Sequence, residues 1–467
     1  MGAVRSQRFS RHLLPRGGAV NGLQELVAGR LRYPGDAGFP AATAPFNKRY
    51  ADIRPAAALS VRDAADVSRA LVWARESGVS IVPRGGGHSY AGYSTGTGLV
   101  LDLRALDEIR IDADAGLVTV GGGARGGAMY AALERSNLAF PLGNSNEVGI
   151  GGLTLGGGVA AVSRAFGLTC DTLVETEIVL ADGSIRVCNA TENADLFWAC
   201  RGGGGGNFGV NTSFTFQAVE PRPSSTVLLL WEWRYAREVL TAMQEVMAAA
   251  PDEFAARIGA ARAGTDPALV SVVGQHLGPA TELRELLAPA LATAPPLRCA
   301  IEDATYWEAK EFLHHETSGD PFAVRTRTTP KPLAEAGVEA IVAAVDRWPG
   351  SGNPDGGGVA LFTWGGAINR IPVSDTAFPH RDVLFLISMD TSWSSTDPAH
   401  TVWSNLEWLD GLHEEMGAHA TASSYLNFTD PSLTDWRTAY YGPNHTRLAQ
   451  IKRRYDPSRV FDFPQGV

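Results

Sequence analysis

Cysteine is scarce. The 467 residues hold four, Cys170, Cys188, Cys200 and Cys299, and no two stand in a C-x-x-C spacing, which excludes a disulfide scaffold and a cysteine-built zinc site. An excess of positive charge is also missing: 40 Lys and Arg stand against 50 Asp and Glu, a net charge of −10. Binding to a nucleic-acid backbone needs a basic footprint, so a nucleic-acid partner is not expected. No apolar run approaches the roughly 20 residues of a membrane span, and no membrane association is expected either. Residues 1–18 carry arginines without an apolar stretch behind them. No secretory leader is expected there, and the expected setting is cytoplasmic, with reduced thiols.

Glycine is abundant, with 52 residues where an ordinary share is about 7%. It is clustered at 85–87, 121–127, 149–158, 202–206 and 356–358. The first four clusters read as tight turns, where a bare backbone adopts positive φ and lets a ligand approach closely. Their density within so short a stretch points to one large ligand site, with phosphate the charge that exposed amides cradle best.

The periodicities alternate. Residues 57–61 read as a strand, 62–77 as a helix, 80–83, 99–103 and 117–120 as strands, and 128–135 as a helix. Residues 174–180 and 185–189 form a hairpin across Asp182-Gly183, and 210–219 is a further strand. Beyond Pro221-Arg222-Pro223, strands alternate with longer helices, as in a sheet covered by helices on one face. The fold class is α+β. We divide the chain into an N-terminal extension (1–45), a first glycine-rich part (46–219), a substrate-facing domain (220–420) and a C-terminal segment (421–467) that returns to strand, loop and helix.

Two stretches match G-x-G-x-x-G, beginning at Gly121 and Gly204. The first follows a strand and opens a helix, but no clean βαβ unit with an acidic residue ending its second strand follows. A nicotinamide-type Rossmann fold is therefore the weaker reading. The decisive loop is Arg84-Gly85-Gly86-Gly87-His88-Ser89-Tyr90, which puts one histidine directly after a tight turn.

That loop resembles the first FAD loop of the berberine bridge enzyme-like oxidases of the vanillyl-alcohol oxidase and p-cresol methylhydroxylase superfamily. The resemblance continues through Phe140-Pro141-Leu142-Gly143, Val148-Gly149-Ile150-Gly151-Gly152-Leu153-Thr154-Leu155-Gly156-Gly157-Gly158 and Phe166-Gly167-Leu168-Thr169-Cys170-Asp171. It resumes at Tyr425-Leu426-Asn427-Phe428-Thr429-Asp430 and over 441–461. It implies a two-part FAD-binding domain plus a substrate domain with an antiparallel sheet covered by helices. It further implies FAD bound covalently through the 8α position to His88. Where many relatives attach the flavin a second time through cysteine, this chain has Ser145, so a single attachment is expected.

The resemblance assigns flavin contacts to Arg84, Gly85, Gly86, Gly87, Ser89, Ser145, Gly149, Gly151, Gly152, Gly158, Val210 and Asn427. Tyr425 is the expected catalytic base, sharing a strand face with Asn427, while Tyr90 and Trp364 are expected to contact substrate. His380 and Arg381 read as structural. His314-His315-Glu316 lacks an H-E-x-x-H spacing, and no metal is expected. The implied reaction moves a hydride from an alcohol or amine carbon of a small molecule to flavin N5, with O2 as the second substrate. A dehydrogenase with another acceptor, a carbohydrate oxidase and a redox-inactive flavin-binding protein are the alternatives.

Overall fold

The computed structural model describes residue 20 and residues 22–316 and 319–467. Three sheets organise these residues. The first has four strands in the order Arg30–Arg32, Ala57–Ser60, Leu99–Asp102, Ile81–Arg84. Its last three strands are parallel, and Arg30–Arg32 adds antiparallel to Ala57–Ser60. A parallel connection needs a crossover, which helix Ala64–Ser77 supplies. Asp63 caps that helix by accepting from the Asp66 amide at 2.8 Å. Leu99–Asp102 is buried along its whole length, as a parallel strand covered on both faces must be.

The second sheet is antiparallel, in the order Ile109–Asp112, Leu117–Gly121, Val210–Gln217, Leu173–Val179, Ile185–Asn189. Helix Gly126–Arg135 follows Leu117–Gly121, but that strand has only antiparallel neighbours. The Gly121 turn thus lacks the parallel βαβ setting of a dinucleotide fingerprint.

The third sheet has seven antiparallel strands, in the order Arg298–Ala304, Ser224–Glu232, Leu269–His276, Phe254–Arg262, Gly357–Thr363, Phe385–Ser392, Phe322–Thr329. Alternate residues such as Val227, Leu229 and Trp231 face one side, where they pack against Val239, Leu240, Met243 and Met247 of helix Ala236–Ala249. Each such side chain contributes about 1.5–3 kcal/mol by burial. Helices Glu335–Asp346 and Ala399–Glu415 extend the same layer. The chain is α+β.

Three expectations change. Residues 20–45 are not a separate extension: Val20, Leu23, Val27 and Leu31 are buried with Leu59, Leu71 and Leu101 in the core of the first sheet, and residues 1–18 lie outside the described residues. The Gly149–Gly158 cluster is not one continuous turn, because Ile150–Leu155 winds into a short helix through Gly151 and Gly152. Residues 421–430 form no strand, so Tyr425 and Asn427 meet across a turn and not along a pleated face.

Candidate active site

A cavity opens where three glycine-rich segments converge: the turn 85–89 after strand Ile81–Arg84, Gly149 with the first turn of helix Ile150–Leu155, and the loop 204–209. The first two segments touch backbone to backbone. A Cβ on Gly86 would sit 2.3 Å from the Gly149 nitrogen, and one on Gly149 would sit 2.3 Å from the Gly86 nitrogen. Elsewhere the walls are bare with room to spare. A Cβ on Gly152 would meet nothing within 4 Å, and one on Gly205 only Leu155 at 3.7 Å. These glycines form a cradle that side chains would fill, where a ligand can lie directly against backbone.

The 204–209 loop is anchored from the C-terminal segment. Buried Lys452 donates to the Asn207 carbonyl at 2.7 Å, the Phe461 carbonyl at 2.6 Å and Asp456 at 2.7 Å. The Val467 amide donates to the Asn207 side chain at 2.9 Å. Three acceptors satisfy the ammonium completely, which is what a buried lysine requires.

His88 stands on the cavity wall. The Phe46 ring stacks on its imidazole with centroids 3.6 Å apart and planes 19° apart, and the Phe46 amide holds the Gly87 carbonyl at 3.1 Å. Burial lowers its pKa to about 4, against the opposing charge of Glu316. The imidazole is neutral at pH 7, so one ring nitrogen keeps its lone pair. Tyr90 stacks on Phe428 at 5.3 Å and meets the edge of Phe322 at 4.9 Å. Burial, with Asp390 and Tyr425 nearby, raises the Tyr90 pKa.

The structure gathers most of the expected cofactor contacts: Gly85, Gly86, Gly87, His88, Ser89, Tyr90, Gly149, Gly151, Gly152, Val210 and Asn427 all line the cavity. Five expected residues lie elsewhere. Arg84 is buried beneath the first turn, donating to the Ala44 carbonyl at 2.6 Å, and burial lowers its pKa to about 10. Ser145 faces Glu316 at 2.7 Å. Gly158 spends its amide on the Tyr425 hydroxyl at 3.0 Å. Trp364 is fully buried, edge-on to Tyr425 at 5.4 Å, so it does not meet the expectation of a substrate contact.

Tyr425 itself sits behind the wall. Its hydroxyl accepts from the Gly158 amide and from Asn427 Nδ2 at 3.1 Å. Burial pushes its pKa up to about 12 although both donors favour the phenolate. Asn427 also donates to the Leu153 carbonyl at 3.0 Å, and so connects Tyr425 to the cavity.

Two charged residues of the third sheet escaped sequence reasoning. Asp390, on Phe385–Ser392, lies between Gly358 and Val324 on the neighbouring strands. Burial pushes its carboxyl up to about 6, with Arg257 opposing and Asp355 adding to the shift. Arg257, on Phe254–Arg262, lies over the Phe362 ring at 5.8 Å, and Phe362 meets Phe428 at 5.9 Å. The only signal in the sequence was a charge closing an apolar strand, Phe385-Leu386-Ile387-Ser388-Met389-Asp390. His380 and Arg381 are buried. Arg381 grips Asp171 with two hydrogen bonds, at 2.7 and 2.9 Å, which makes it structural.

Residues 55–189 match the family model described as an FAD binding domain, and residues 424–467 match that described as berberine and berberine like. An FAD-linked oxidoreductase of Bacillus subtilis, YgaK, whose own activity is uncharacterized, is 34% identical over 86% of this chain and 88% of its own length. The chain belongs to the berberine bridge enzyme-like FAD-linked oxidoreductases.

Solved members of this family share the fold over nearly the whole length. A berberine bridge enzyme-like protein of Physcomitrella patens superposes with a TM-score of 0.86 at 29% identity, covering 95% of this chain and 98% of its own. Glucooligosaccharide oxidase from Acremonium strictum, described with a 6-S-cysteinyl, 8α-N1-histidyl FAD, gives 0.84 at 28% identity, covering 96% and 99%.

Proposed function

We propose that the protein is an FAD-dependent oxidase that carries its cofactor on His88 and oxidises an alcohol or amine carbon of a small hydroxylated metabolite. The observation that carries this reading is the neutral His88 imidazole on the wall of a cavity built from three bare glycine-rich segments. A neutral imidazole is the nucleophile that an 8α attachment requires, and desolvation keeps it so. The bare walls at Gly152 and Gly205 fit a pyrophosphate and a ring system that side chains would exclude.

Bound there, FAD would supply the hydride acceptor, with O2 as the acceptor that completes the reaction. The protein supplies the proton's destination. Asp390 is ionised above about pH 6, which makes it a better resident base at neutral pH than Tyr425, held near 12. Tyr425, the base expected from the resemblance, then acts through its hydrogen bond to Asn427, holding that amide at the cavity. Tyr90 and Phe428 offer flat apolar surface to the substrate.

A carbohydrate oxidase is the second reading. It is favoured by the Arg257 and Asp390 pair, since guanidinium and carboxylate on one sheet suit a hydroxyl-rich ligand, and by the likeness to glucooligosaccharide oxidase. The test is substrate-dependent loss of yellow colour without oxygen, followed by peroxide release under air, across alcohols, amines and oligosaccharides. Bleaching by a small alcohol or amine supports the first reading, and bleaching by oligosaccharides alone the second. A yellow protein that no member of the panel bleaches would contradict both.

A further inference from the structure

The loop 143–149 carries Ser145, at the place where the family resemblance puts a flavin-linking cysteine. Ser145 does not face the cavity. Its hydroxyl donates to Glu316 Oε2 at 2.7 Å, while Glu316 Oε1 accepts from the Asn146 amide at 2.6 Å and the Glu147 amide at 3.2 Å. His314 Nε2 adds a fourth contact at 3.0 Å, and Lys310 donates to the Asn146 side chain at 2.8 Å. Glu316 comes from the segment after helix Tyr306–Phe312, about 170 residues further along the chain.

The loop is held from its other side as well. The Gly126 amide donates to the Val148 carbonyl at 3.0 Å and the Gly127 amide to the Asn146 carbonyl at 2.9 Å. Beyond Val148 the chain reaches Gly149, which presses on Gly86 two residues before His88. Glu316 is close enough for its charge to act on the His88 imidazole. A carboxylate meeting two amides, a hydroxyl and an imidazole is a charge-assisted site, and such bonds are the strong ones.

We propose that Glu316 is a positioning residue which clasps loop 143–149 over the cofactor site, doing by hydrogen bonds what a second covalent link does in a doubly attached relative. The clasp rests on the flavin reading given above. It makes Ser145 a partner of Glu316 and not of FAD. It also makes FAD retention depend on a side chain outside the cavity.

The test measures FAD release from purified holoprotein in a His88→Ala background, where only non-covalent contacts retain the cofactor. Release is followed by the rise in flavin fluorescence after dilution. Glu316→Ala should speed release by about tenfold or more, a loss expected for one or two charge-assisted hydrogen bonds. Ser145→Ala should give a smaller increase, and Glu316→Gln should restore part of the retention because an amide oxygen still accepts from the loop. The thermal midpoint of each variant freed of FAD should match that of His88→Ala freed of FAD, which separates a clasp from a general loss of folding. Release as slow as in His88→Ala alone would overturn the clasp while leaving the flavin reading intact. A colourless wild-type protein would overturn both.

Discussion

The two walls of the site are built by opposite means. On the proposed cofactor side the wall is backbone, from glycines at 85–87, 149, 151, 152 and 204–206 that line the cavity. On the proposed substrate side it is side chain: Tyr90 and Phe428 line the cavity, Phe322 and Phe362 of the third sheet pack against them, Arg257 lies over Phe362, and the charge of Asp390 acts on Tyr90. The backbone wall excludes added atoms where its segments touch, at Gly86 and Gly149, and carries no charge of its own. A side-chain wall accepts substitution readily and sets the chemistry. The same fold can therefore keep one cofactor while its substrate changes.

The sharpest way to break this contrast is Gly86→Val. Its added carbons would overlap the Gly149 backbone, a clash costing about 3 kcal/mol or more in a packed setting. The visible absorbance of the purified variant should show FAD loading abolished, while circular dichroism shows the third sheet retained. Normal yellow colour would mean that the segments do not meet as described.

Next in size is Asp390→Asn, which should lower kcat by about 10²–10⁴-fold if the carboxylate takes the substrate proton. Wild-type activity should rise through about pH 6, where the carboxyl ionises, and this limb should vanish in the variant. The same substitution should raise the thermal midpoint at pH 7. A carboxyl whose folded pKa is raised stabilises the protein at low pH, and that contribution is lost as pH rises through about 6. Lower activity with higher stability would mark a functional carboxylate, and an unchanged pH profile would remove it from the mechanism.

Arg381→Gln sharpens the comparison from outside both walls. It leaves buried Asp171 without its bidentate partner, and urea unfolding should show a loss of about 3–5 kcal/mol. Smallest is Trp364→Phe. Trp364 is fully buried, and its indole nitrogen has no hydrogen-bond partner among the described residues. The variant should keep KM unchanged, with stability shifted by about 1–2 kcal/mol. A large KM change would return Trp364 to the substrate wall.

The same contrast explains what is legible in the sequence. Glycine turns announce themselves, because few other reasons put Gly85, Gly86 and Gly87 before a histidine. His88, Gly149, Gly151, Gly152 and Asn427, picked out through the family resemblance that these motifs carry, all line the cavity. Asp390 and Arg257 cannot be picked out in this way, since a charge on a strand reads as solvent-facing until the neighbouring strands are known. Ser145 reads as a flavin contact because its position in the loop is visible in sequence, whereas its partner Glu316, about 170 residues away, is not. Residues 20–45 look like an extension because strand Arg30–Arg32 is three residues long, too short to carry a period.

The most direct measurement is the mass of tryptic peptide 85–104, which contains His88, from the wild-type protein and from Ser145→Ala. FAD should be carried on His88 in both, because the backbone wall and the desolvated imidazole, not Ser145, hold the reacting groups together. An unmodified peptide from a yellow protein, or FAD attached at another residue, would contradict it.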